Sequence, residues 1–273
     1  MSPPSVASPT VTNTQVTLIQ IDNYGPWTVT PEPRREVDLQ TLQSRLYADL
    51  CQQIGNREGY VFFTRFDNMI AVTNGIDLEG HARIQESIGN RYPVTLSLTT
   101  ATGTTPADAL RDATARLQEA GSAQEAARRE ILGGRTIDPE FATGDDVQIA
   151  HFDVVDATGE YTDQVDAFSA FIDIERGYAE LTRHLYAEYD SLSFFVGGDN
   201  FIAVCSGLEE RAFDEAITHV EEAVDVSLRV GVGTGENAHG AGMGAKHALE
   251  TCRGRETPIE FAAPSRVLHD RRE

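Results

Sequence analysis

The chain repeats itself, and the repeat limits what it can fold into. Asp67-Asn68-Met69-Ile70-Ala71-Val72 is echoed by Asp199-Asn200-Phe201-Ile202-Ala203-Val204, each lying between two apolar, β-rich runs. Upstream of each stands a strand-like run ending in aspartate, Val16 to Asp22 and Val147 to Asp153. Asp22 and Asp67 are 45 residues apart, and Asp153 and Asp199 are 46 apart. A further strand begins 27 residues beyond each hairpin aspartate, at Val94 and at Val226. The period is too long for a solenoid, so the chain is a tandem duplication. Each copy reads β-α-β-β-α-β, the split βαβ order, which predicts an α+β chain of two tandem ferredoxin-like (βαββαβ) domains. The expected division is a tail over 1–14, a first domain with a linker helix over 15–140, and a second domain over 141–273.

In this order the first strand pairs with the hairpin at the centre of the sheet. The aspartate ending that strand and the aspartate of the hairpin therefore meet at one sheet end. A repeated carboxylate pair suits a hard cation such as Mg²⁺ and, through it, phosphate oxygens. Solvated surface charge is the bland alternative for each aspartate, and an ordinary turn is the alternative for each hairpin tip. The tips differ. Gly197-Gly198 precede Asp199 and leave bare backbone beside it, whereas Arg65-Phe66 precede Asp67 with bulky side chains. On that contrast Asp153 and Asp199 are the expected principal metal ligands and catalytic carboxylates, with Asp22 and Asp67 as further ligands. Gly197, Gly198, Asn200, Asn23, Arg65 and Asn68 are the expected nucleotide contacts.

Composition narrows the partners. The formal net charge is −21, and Lys246 is the one lysine among 22 basic residues. Such a surface repels nucleic acid and anionic membrane. It would also repel a triphosphate arriving without divalent cations. Dense acidity of this kind is tolerated where concentrated salt screens self-repulsion, which predicts a salt-adapted cytoplasmic protein. Cys51, Cys205 and Cys252 are far apart and odd in number, so reduced thiols are expected and no structural zinc. No run reaches the length of a membrane span.

Along the chain, Asn23 to Arg35 reads as a long loop. Its tryptophan, Trp27, either caps the core or binds, and Arg34 and Arg35 either pair phosphate or the acidic surface. Leu39, Leu42, Leu46 and Leu50 give a helix over about 35–54 its core face. Helices are also expected at 79–90, 107–119, 122–132, 162–189 and 209–224. Gly133-Gly134 reads as a domain junction. The segment after Asp153 offers backbone amides that could cradle phosphate. Gly231-Val232-Gly233-Thr234-Gly235 lacks the context of a dinucleotide fingerprint, so close packing of the last helix on the sheet is expected there.

Several stretches together resemble archaeal GTP cyclohydrolase III. They are Ile19 to Thr30, Leu42 to Tyr47, Thr64 to Asn68, Thr73 to Leu78, Arg83 to Ile88, Gly121 to Gln124 and Phe194 to Asn200. The resemblance implies tandem palm domains related to nucleotidyl cyclase and GGDEF domains. It also implies Mg²⁺-dependent hydrolysis of GTP that opens the guanine imidazole ring and keeps the formyl group, toward flavin and deazaflavin cofactors. A homo-oligomer is expected. A diguanylate-type cyclase and a non-catalytic nucleotide sensor are the competing readings; Asn200, where GGDEF cyclases carry an acidic residue, counts against the former.

Overall fold

A computed structural model describes residues 13–65, 67–123, 125, 128–137, 147–155 and 165–263. In the first copy β1 (Thr14–Ile21) leads through a short helix α1 (Tyr24–Val29) to α2 (Glu36–Gly55). The hairpin β2 (Tyr60–Arg65) and β3 (Asn68–Val72) follows, then α3 (Leu78–Gly89), β4 (Leu96–Gly103), α4 (Pro106–Glu119) and β5 (Leu132–Gly134). The second copy runs β6 (Val147–Val154), α5 (Ala167–Tyr189), β7 (Leu192–Gly197), β8 (Asn200–Cys205), α6 (Glu210–Val224), β9 (Leu228–Gly235), α7 (Ala238–Arg255) and β10 (Ile259–Phe261). Each copy forms its own sheet, ordered β2-β3-β1-β4-β5 and β10-β9-β6-β8-β7. The first strand of each copy is central and the hairpin lies beside it, as the ferredoxin-like order requires.

The segment expected as a helix over 122–132 is not one among its described residues, and Leu132–Gly134 is a short strand parallel to β4. Single turns stand there instead, with the Glu125 N–H donating to Ser122 O and the Arg128 N–H to Glu125 O, and the strand that follows needs Gly134, which at φ 127° runs so close to Thr100 that a β-carbon would overlap its backbone. The loop expected after Asp22 contains α1, whose Trp27 packs beside Tyr24 and carries the Arg34 guanidinium 4.1 Å over its ring. Trp27 is thus occupied within the protein, as is Arg35, paired with Asp38 at 2.8 Å. Of the segment after Asp153 expected to cradle phosphate, 154–159, Val154 and Val155 are described and 156–159 lie outside the described residues.

Helices α2 and α3 cover one face of the first sheet through Leu46, Leu50, Ile54, Ile84 and Ile88. α5 and α6 cover the matching face of the second through Leu181, Leu185, Phe213 and Val220. The other two faces share one core. Val16, Leu18 and Phe62 join Val147, Ile149 and Phe194 there, with α4 and α7 supplying small alanines. The glycines of β9 serve this packing, because β-carbons at Gly231 and Gly233 would overlap the backbone of α7.

The copies meet about a pseudo-twofold axis. Phe62 stacks on its own counterpart Phe194 with ring centroids 4.2 Å apart and planes 2° from parallel. The His239 N–H donates to Glu58 O at 3.0 Å, and the Ala107 N–H donates to Asp190 O at 3.1 Å. Phe62 and Phe194 lie 132 residues apart, and the same shift turns Glu58 into Asp190 and Ala107 into His239, so the two hydrogen bonds are counterparts of one another. Such a self-complementary contact is the mark of an isologous interface.

Candidate functional site

Register decides which residues correspond. Gln20 pairs with Asn68 and Ser97, and Asp153 pairs with Asn200 and Arg229. The N–H groups of Ile21 and Val154 donate to Asp67 O and Asp199 O, and those of Asp22 and Val155 donate to Thr95 O and Ser227 O. Asp153 therefore occupies the place of Gln20, and Val155 the place of Asp22. The two strand-end aspartates are not repeats of one position. They sit two residues apart on equivalent strands, on the same face because side chains alternate with a period of two. Near-equal sequence spacing disguised that slip.

At the first copy's sheet end Asp22 is 3% exposed. Ser97 donates to its carboxylate at 2.7 Å and Thr95 at 3.2 Å, and the Arg128 guanidinium stands 3.7 Å away. Burial pushes the Asp22 carboxyl above its ordinary range, although Ser97, Arg128 and Thr95 pull the other way. The negative charge is thus under-compensated. Beside it Asn23 adopts a left-handed conformation, and its Oδ1 is buried with no hydrogen-bond partner among the described residues. Arg128 is equally buried, and its Nε and Nη2 also make no hydrogen bond with the described residues.

A chain of hydrogen bonds joins this buried pair to the hairpin tip. Arg128 Nη1 donates to Gln20 Oε1 at 3.1 Å, Gln20 Nε2 to Asn68 Oδ1 at 3.0 Å, and Asn68 Nδ2 to Asp67 Oδ1 at 3.1 Å. A guanidinium only donates and a carboxylate only accepts, so both amide orientations are fixed by the chain's ends. Arg65 closes on Asp67 through Nε at 3.0 Å and Nη2 at 2.6 Å. An open cavity of about 330 Å³ lies alongside, lined in part by Gln20, Arg65, Asp67, Asn68, Gln118 and Ser122.

The second copy spends its charges differently. Arg253 holds Asp153 through Nη2 at 2.6 Å and Nε at 3.3 Å, and Arg229 Nε approaches it at 3.5 Å. Asn200 Nδ2 donates to Asp199 Oδ1 at 2.7 Å, which leaves Asn200 Oδ1 to accept from His151 Nε2 at 3.0 Å. Burial lowers the His151 pKa, consistent with a neutral ring. Gly197 and Gly198 have φ of 111° and 64°, and a β-carbon on Gly197 would meet nothing within 4 Å. The space beside Asp199 is open as expected, and the turn alone already calls for glycine.

A magnesium ion asks for oxygen donors and a carboxylate with charge to spare. The first copy fits: Asp22 is under-compensated, Asn23 has an orphaned carbonyl oxygen, and Asp67 abuts through its backbone. Among the described residues no three or more His, Cys, Asp or Glu side chains gather into a cage, so substrate oxygens and water would complete the shell. In the second copy Asp153 is already met by two guanidinium groups. Sequence reasoning gave no role to Gln20, Ser97, Arg128, Arg229 or Arg253; Gln20 lies inside the run Ile19 to Thr30 and Arg128 just beyond Gly121 to Gln124, both of which carried the resemblance.

The GTP cyclohydrolase III family model matches residues 16–263. The chain belongs to that family. It is 69% identical over 250 residues to GTP cyclohydrolase III 1 of Halobacterium salinarum, covering 92% of this chain and 98% of the relative. It is 68% identical over 252 residues to the Natronomonas pharaonis GTP cyclohydrolase III, covering 92% and 100%. The Methanococcus vannielii GTP cyclohydrolase III is 47% identical over 246 residues, covering 90% and 91%. Among solved structures, the GGDEF domain of DgcB from Caulobacter crescentus aligns with 42% of this chain and 77% of its own, at 15% identity and a TM-score of 0.37. No helix among the described residues is long and apolar enough to cross a membrane.

Proposed function

We infer that this family member hydrolyses GTP with Mg²⁺, opening the imidazole ring of guanine and keeping the formyl group on the product. The product is then 2-amino-5-formylamino-6-(5-phosphoribosylamino)pyrimidin-4(3H)-one with two orthophosphates, an entry compound for flavin and deazaflavin synthesis. We further place the working site in the first copy. The observation that carries the assignment is the buried, under-compensated Asp22 beside the orphaned Asn23 oxygen, next to an open cavity bearing Arg65 and Asp67.

Asp22, Asp67 and the Asn23 carbonyl would hold the magnesium, which supplies neutralisation of the triphosphate and a lowered pKa for bound water. Arg65, mostly exposed at the cavity, can exchange its hold on Asp67 for a bidentate grip on phosphate oxygens. Arg128 keeps Asp22 in place from behind, and Gln20 and Asn68 fix the relative positions of Arg128 and Asp67. Ser97 and Thr95 hold the Asp22 carboxylate in one orientation.

The test is incubation of the full chain with GTP and Mg²⁺ in molar KCl, followed by ³¹P NMR, guanine absorbance and formate analysis. Ring opening gives orthophosphate and loss of guanine absorbance without formate. Pyrophosphate with a cyclic nucleotide would indicate a cyclase, and intact GTP a sensor. Asp22→Asn and Asp67→Asn should abolish turnover while Asp153→Asn and Asp199→Asn retain it; the reverse pattern returns the site to the second copy.

A further inference from the structure

The place in the second copy that corresponds to the Asp22 site is not filled. It is a cavity of about 460 Å³ lined by Val155, Leu228, Arg229, Arg253, Glu256, Thr257 and Pro258. Register makes Val155 the counterpart of Asp22 and Arg229 the counterpart of Ser97. The first copy presents a carboxylate and a hydroxyl there. The second presents an apolar side chain and a guanidinium, so the site has shifted by two units toward positive charge.

Arg253 is engaged at each of its three nitrogens: Nε and Nη2 donate to Asp153, and Nη1 donates to Glu250 at 2.7 Å. Arg253 and Asp153 thus balance one another. Arg229 is the surplus. Its side chain is 20% exposed, its Nε is buried without a hydrogen bond, and among the described residues its one ion pair is with Asp153 at 3.5 Å. Its two terminal nitrogens make no hydrogen bond with the described residues, and the residue lines the cavity. Glu256 on the same cavity opposes an anion, and its exposed position lets solvent screen it. A planar donor fork with unused terminal nitrogens in a recess suits a tetrahedral oxyanion.

We propose that this second-copy cavity binds a phosphate-type oxyanion through Arg229, without a metal. The anion is either free orthophosphate or the phosphate of a nucleotide; the cavity has room for more than one tetrahedral group. The proposal is independent of whether the first copy is the catalytic site.

The test is titration of the full chain with inorganic phosphate in EDTA and fixed molar KCl, read by isothermal calorimetry and ³¹P line broadening. GMP serves as a parallel titrant. Saturable binding of one anion per chain is expected, weakened at least about tenfold, or 1.4 kcal/mol, in Arg229→Gln. Arg229→Lys should fall between, and Asp22→Asn should bind as the wild type does. Val155→Asp keeps Arg229 but places a carboxylate beside it, and should abolish binding even if Arg229→Gln folds poorly. Binding of GMP tighter than phosphate, with the same dependence on Arg229, identifies a nucleotide site; equal binding identifies free phosphate. Absence of saturable binding overturns the proposal. So does binding that resists both Val155→Asp and Arg229→Gln, or that is lost with Asp22→Asn.

Discussion

Removing the charge of Asp22 should inactivate the protein without destabilising it, whereas removing its partner Arg128 should destabilise it. The two charges lie 3.7 Å apart and both side chains are almost wholly buried. At an effective dielectric constant near 20 their attraction is about 4–5 kcal/mol. Yet the Asp22 carboxyl is shifted above its ordinary range, so the cost of desolvating the carboxylate exceeds what Arg128, Ser97 and Thr95 return. Asn in its place releases that cost, and at neutral pH without metal Asp22→Asn should match or exceed the wild type in stability. Arg128→Met leaves the carboxylate with no counter-charge. Its cost approaches the lost attraction, with proton uptake by Asp22 setting the ceiling. In the Asp22→Asn background the same Arg128→Met change should cost about 4–5 kcal/mol less. The assay is a double-mutant cycle of urea unfolding in molar KCl, where burial keeps the pair from being screened. Additivity within about 0.5 kcal/mol, or an Asp22→Asn loss as large as that of Arg128→Met, would refute the reasoning.

Three further outcomes follow from the same geometry. Because the folded-state pKa of Asp22 is raised, the folded protein holds the proton over a range where the unfolded chain has lost it; the stability of the wild type relative to Asp22→Asn should fall as pH rises through that folded pKa, and Mg²⁺ should reverse the trend, as read from paired melting curves. Gln20→Leu removes the link between Arg128 and Asn68 and should cost about 2–4 kcal/mol, while Gln20→Glu keeps the bond to Arg128 but offers Asn68 no donor, turning its amide and lowering turnover; unchanged turnover in Gln20→Glu would mean the chain of amides positions nothing. Dilution from molar salt should lower the melting temperature and activity, since a charge of −21 then repels itself, and insensitivity to salt would remove the halophilic reading.

The fold was legible because duplication states each constraint twice. Two hairpins, two strand-end aspartates and two apolar helices give the sheet order without any tertiary information. The site was less legible for a physical reason. Strand register is set by hydrogen bonds, and a slip of two residues leaves alternation intact, so Val147 to Asp153 looked like a repeat of Val16 to Asp22. Arg128 was obscured in another way: Ser122 to Leu132 is rich in alanine and arginine and reads as helix, yet among the described residues single turns, Glu125 N–H to Ser122 O and Arg128 N–H to Glu125 O, bring a guanidinium to Asp22. Local propensity carried no trace of that contact.

The slip also bears on why the copies differ. A carboxylate at the Gln20 position cannot replace one at the Asp22 position, since the two stand along the strand by two residues, about 6–7 Å. Asp153 therefore did not inherit the first copy's environment. It lies where Gln20 bridges Arg128 and Asn68, but it does not bridge: it takes Arg253 and Arg229, while Asn200 turns to Asp199 and His151. Only the first copy thus has a polar strut between a guanidinium and the hairpin strand with a buried carboxylate beyond it; in the second the guanidinium–Asp153 pair and the Asn200 pair are separate among the described residues. The axial contact of Phe62 with Phe194 ties the two copies into one body, so truncating either ring should loosen both sites. Phe194→Ala, about 3–5 kcal/mol from a filled interface, should lower the affinity of the first copy for Mg²⁺-GTP although no residue of that site is touched. If binding there is unchanged while the melting temperature falls, the copies are joined for stability alone.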